Sequence, residues 1–65
     1  MMKLKITEVE VPIGSGPGHI TAVNTNDQQV KIVVPHKHWA TFENADLNVG
    51  DNAFYDGATH AWRRA

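Results

Sequence analysis

From Lys3 to Val11 the chain alternates charged and apolar side chains, "KLKITEVEV", the two-residue period of a strand with one wet face. The parity changes midway. Leu4 and Ile6 are even, whereas Val9 and Val11 are odd. A strict strand sends those pairs to opposite faces, so a bulge or bend at Thr7 and Glu8 is expected to return both to one core. "PIGSGPG", Pro12 to Gly18, then breaks the pattern and reads as a loop able to flex over a ligand. Its glycines are spaced G-x-G-x-G, no lysine accompanies them and a strand follows, so it carries no phosphate-binding motif.

"HITAVNT" and "QVKIVV" are two β-rich runs separated by "NDQ", whose Asn26 and Asp27 suit a turn, and together they predict a hairpin. Val30, Ile32 and Val34 share one face, Lys31 and Val33 the other. After Pro35 the alternation stops. Trp39 and Phe42, one helical turn apart, predict a short helical segment in which one of them plugs the core, while Lys37 and the neighbouring histidines face water. A turn at Gly50-Asp51 then leads into a last hairpin, with Asp56-Gly57 as a two-residue turn. In that register Tyr55 pairs with Ala58, Ala53 with His60 and Asp51 with Trp62. Tyr55, His60 and Trp62 then share one face, Phe54 and Ala61 the other.

The predicted fold is all-β, a single domain over residues 1–65: a small five-stranded barrel whose bent first strand serves two sheets, with a helical turn between strands three and four. In element order it resembles an OB-fold barrel, and an SH3-like barrel uses nearly the same parts.

Composition narrows the functions. The chain has 65 residues, 42% of them hydrophobic, which suits one small globular core near the lower size limit. It has no cysteine, which removes disulfides and thiolate chemistry and is expected of a cytoplasmic protein. The formal charge of −1 excludes a basic field over the whole molecule, and no leader or membrane span is expected. The single serine, Ser15, has no base beside it, so no nucleophilic enzyme and no cofactor are expected; a site shared within an oligomer is the one route to catalysis.

Two features carry candidate chemistry. His36 and His38 are two apart and, on an extended segment, would point the same way; with no further ligands set by spacing, they read as surface groups that tune charge, not as a metal site. The aromatics cluster in the second half. With Phe42 and Phe54 assigned to the core, Tyr55 and Trp62 remain beside Arg63 and Arg64. That pattern points to a non-catalytic module binding single-stranded nucleic acid. Trp62, Tyr55 and, at the rim, Trp39 would stack bases; Lys37, Arg63 and Arg64 would hold phosphates; His36, His38 and His60 would add pH-dependent charge. The competing placement puts Trp62 inside to close the barrel. The same surface also fits a protein-interaction module, an adaptor or inhibitor, acting as a homodimer.

Overall fold

The computed structural model describes residues 1–65. Five strands, β1 (Met2–Glu10), β2 (Gly18–Asn24), β3 (Gln29–Val34), β4 (Asn52–Asp56) and β5 (Ala61–Arg64), form one antiparallel sheet in the order β3-β2-β1-β4-β5. Between β3 and β4 a 3₁₀ turn at His36–His38 runs straight into α1 (Trp39–Asn44). The all-β class, the five strands and the helix after β3 are therefore as the sequence predicts. The helix carries the chain from one edge of the sheet back to the far side of β1. β1 is thus the shared strand, and β3 and β5 are the edges. No helix is long and apolar enough to cross a membrane.

Thr7 bends β1. Ile6 pairs with Ala22 and Glu8 with Thr21, which leaves Thr7 as the extra residue of a bulge. Its hydroxyl donates to the Thr21 carbonyl at 3.1 Å and so fixes the irregularity to β2. Residues on the first side of the bulge also pair with β4, Met2 with Tyr55 through Lys5 with Asn52. Leu4 and Ile6 are fully buried and Val9 packs against the same core, but Val11 is 63% exposed. The parity argument holds for Val9 and fails for Val11, because β1 ends at Glu10 and leaves no partner strand over the next side chain.

The core is one cluster. Leu4, Ile6, Ile20, Ala22, Ile32 and Val34 line it from β1–β3; Ala53, Tyr55 and Trp62 from β4 and β5; Trp39, Phe42 and Leu47 from the crossover. Its aromatic rings form a continuous chain: Trp39 to Phe42 at 5.0 Å, Phe42 edge-on to Trp62 at 5.1 Å, and Trp62 to Tyr55 at 4.6 Å. Such pairs add about 0.5–1.5 kcal/mol each beyond area burial. They tie the helix to the β4–β5 hairpin. The Trp62 indole N–H is buried without an acceptor, a cost of about 1–3 kcal/mol that the burial of the ring must offset.

The last hairpin differs from the two-residue turn predicted. Asp56 pairs with Ala61 and Tyr55 with Trp62, so residues 57–60 form a four-residue loop. A tight type I′ turn needs positive φ at both central residues, yet the left-handed residue here is His60, at φ 58°. The Asp56 carboxylate instead accepts the Ala58 N–H at 2.9 Å, an Asx turn that widens the loop.

Gly18 opens β2 directly beneath Trp39, and a Cβ there would overlap the indole ring. Gly18→Ala is expected to destabilise the fold by about 1–3 kcal/mol in urea denaturation, the usual cost of overpacking. At Gly57 an added Cβ meets only an ordinary 3.6 Å contact with Tyr55. Gly57→Ala should therefore stay within about 0.5 kcal/mol of the parent, as surface changes do.

Candidate nucleic-acid interface

The aromatic residues assigned to stacking are not on the surface. Trp62 is 6% exposed, Tyr55 7% and Trp39 8%, and all three belong to the core cluster. Tyr55 and Trp62 do share a face, as expected, but it is the inner one: they pair directly and lie on the side of Ala53, which stands opposite the buried Leu4, while His60 sits in the loop. Phe54, assigned to the core, lies instead on the outer face, half-buried, with the Arg63 guanidinium 5.2 Å from its ring centroid. In a chain this short the two largest side chains supply burial the core cannot forgo.

The basic residues divide. Arg64 is committed to structure: it donates to the Asp51 carboxylate at 3.1 Å and to the Asp46 carbonyl, tying β5 to the segment before β4. The Asp51 carboxyl is held below its usual range, first by the Asn48 N–H that donates to it at 2.8 Å and then by Arg64. Arg63 points outward and reaches only Phe54 and the Met1 sulfur, 3.8 Å away. Lys37 is exposed on the 3₁₀ turn, away from the other cations in sequence and on a different element.

A different basic and aromatic face emerges from the strand register. Lys3 pairs with Phe54, and Phe54 with Arg63, giving a straight row across β1, β4 and β5; Lys5 lies opposite Asn52 in the next outward row. Lys3, Lys5 and Arg63 form no ion pair with any carboxylate. Beside them Lys3, Lys5, Asn24, Thr25, Asp27 and Asn52 line a shallow groove of about 240 Å³. The sequence marked Lys3 and Lys5 only as the wet side of a strand. Nothing local to them announces Phe54 and Arg63 as neighbours, since that depends on β1 pairing with β4 some fifty residues later.

The histidines occupy the opposite structural role to the one an extended H-x-H segment suggests. His36 and His38 lie on a 3₁₀ turn, which rotates them apart. The His36 ring contacts the Gly16 carbonyl through Nδ1 at 3.2 Å and pins the glycine loop. His38 stacks on His60, centroids 4.2 Å apart and rings 11° from parallel, joining the 3₁₀ turn to the β4–β5 loop. No three metal-ligating side chains converge anywhere in the chain.

Partial desolvation, followed by the fields of His60 and Lys37, lowers the His38 pKa from its ordinary 6.5. The folded state thus binds fewer protons than the unfolded one near that value, and stability falls as pH drops through about 6.5. Denaturant midpoints followed from pH 7.5 down to pH 5 should decline, and His38→Gln should flatten that decline while starting from a lower midpoint at the alkaline end, where the stack on His60 is lost. Searches of protein-family models, curated proteins and solved structures find no match to this chain.

Proposed function

We infer that the chain is a non-catalytic module that binds single-stranded nucleic acid on the outer face of β1, β4 and β5. One observation carries this reading: the cross-strand row Lys3–Phe54–Arg63, with Lys5 one row away and none of the three cations neutralised by a carboxylate. A half-exposed ring flanked by free cations is what an unpaired strand needs. Its bases have open faces to stack, worth about 1–3 kcal/mol each, and its phosphates follow the cations. The outward carboxamide of Asn52 along the neighbouring groove can hydrogen-bond to sugar and phosphate oxygens. The net charge of −1 confines the attraction to this face, so binding is local and salt-sensitive rather than the wrapping of a duplex.

A second reading, self-association, is favoured by one feature: β3 is an unpaired edge whose outward Val33 is 56% exposed. An edge of this kind can pair with another copy. Lys31 in its centre works against that, since a lysine on an edge strand opposes addition of a further strand.

Fluorescence anisotropy of a labelled oligo(dT) strand separates the readings. Three phosphate contacts predict a log–log salt slope of about −2, at about 0.7 per contact on a single strand. Lys5→Gln should lower the slope magnitude by about 0.7. Phe54→Ala should weaken binding by about 1–3 kcal/mol with the slope unchanged. Absence of binding at low salt, together with salt-insensitive dimerisation in sedimentation equilibrium, would overturn the nucleic-acid reading in favour of self-association.

A further inference from the structure

Past the bulge, the outer surface of β1, β2 and β3 has a different character. Glu8, Thr21 and Lys31 are paired in register across the three strands, and Glu10 lies opposite His19 in the next row. These five side chains line a depression of about 220 Å³ with no hydrophobic residue in its wall. Thr21 forms part of it and is the one buried polar residue of the protein, 7% exposed. Its carbonyl accepts from Thr7, but its hydroxyl makes no hydrogen bond. Glu8 and Lys31 flank it on opposite sides, on strands whose Cα atoms stand about 10 Å apart by two interstrand spacings. They form no ion pair with each other. Glu10 is 3.4 Å from His19 Nδ1, a contact without hydrogen-bond geometry. The row therefore presents, in order, a charged donor, a hydroxyl that serves either way, and a charged acceptor.

We propose that this depression reads a guanine in the single strand held by the basic face. The proposal rests on the nucleic-acid reading above and names what that strand would carry. The pairing edge of guanine runs acceptor, donor, donor: O6, N1–H and the N2 amino group. Lys31 donates to O6, the Thr21 hydroxyl accepts N1–H, and the Glu8 carboxylate accepts from the amino group. In a single strand that edge is free to be read. Thymine and uracil offer no amino group to Glu8, and adenine offers no carbonyl to Lys31. Cytosine supplies an amino group to Glu8 and a carbonyl to Lys31, with N3 accepting from the Thr21 hydroxyl, and it ranks second because its single ring stacks over less surface than a purine. Glu8 and Glu10 also repel phosphates, which keeps the backbone over Lys3, Lys5 and Arg63 while a base turns toward the depression.

The test compares oligo(dT) with strands of equal length in which one central thymine is replaced by guanine, cytosine or adenine. The guanine strand is expected to bind about tenfold tighter than oligo(dT), in line with one good base contact. Cytosine should fall between, and adenine should give no gain. Thr21→Val, Lys31→Met and Glu8→Gln should each remove most of the guanine preference while changing oligo(dT) affinity by less than about twofold. Circular dichroism checks that each variant folds. If oligo(dT) binds and guanine confers no advantage, the base-reading proposal is overturned and the basic face stands. If no strand binds, the nucleic-acid reading fails, and the depression is judged by titrating guanosine and thymidine as free nucleosides. Selective shifts of the Glu8, Thr21 and Lys31 amides with guanosine would support it; equal or absent shifts would overturn it.

Discussion

The extra residue at Thr7 is the constraint on which the structure depends. Without it β1 would be a flat strand with Leu4 and Ile6 on one side and Val9 on the other. With it, the first half of β1 pairs with β4 and almost its whole length with β2, and both ladders bury their inner side chains against one core. A bulge also increases the local twist of the sheet. The hydroxyl of Thr7, donated to the Thr21 carbonyl, satisfies a group that the irregularity would otherwise strand. The same bend divides the outer surface: free cations on one side of Thr7, and Glu8 and Glu10 on the other.

What fills the interior follows from size. Sixty-five residues offer few large apolar side chains, and a core built only from Leu, Ile and Val would leave the end of the sheet uncovered. The rings of Trp39, Phe42, Trp62 and Tyr55 close that end, joining a six-residue helix to a hairpin that contributes no other large apolar side chain to the core. Each ring turned to solvent would cost the core more than a smaller residue could restore. The aromatic residue released to the outer face is Phe54, whose neighbours across the strands are cationic.

Much of the fold was legible because its signals were local. Alternation marked β1, the parity change located the bulge, the Asn26–Asp27 turn placed the β2–β3 hairpin, and the loss of alternation after Pro35 marked the helix. The β4–β5 register was not legible. Asp56-Gly57 carries the sequence signal of a tight turn, yet the Asp56 carboxylate caps Ala58 and His60 takes the left-handed conformation, moving the partner of Tyr55 by four residues, from Ala58 to Trp62. The shift is even, so Tyr55 and Trp62 still share a face and Phe54 takes the other; the face that turns inward is decided by the pairing of Ala53 with the buried Leu4, and it is the one carrying Tyr55 and Trp62. Lys3 and Lys5 escaped notice for a related reason: their meaning comes from long-range pairing, which residue spacing does not encode.

On the proposed reading the ligand lies on the outer surface of the two ladders sharing β1, and not at the end of the sheet closed by the aromatic chain. The most direct measurement is a backbone-amide chemical-shift map of the labelled protein titrated with a single-stranded oligonucleotide at low salt. The account predicts perturbations concentrated at Lys3, Lys5, Asn52, Phe54 and Arg63 and continuing toward Thr21, with both tryptophan indole signals still. Shifts centred on Trp39, His60 and Trp62 would contradict it and place the binding surface at the end closed by the aromatic chain.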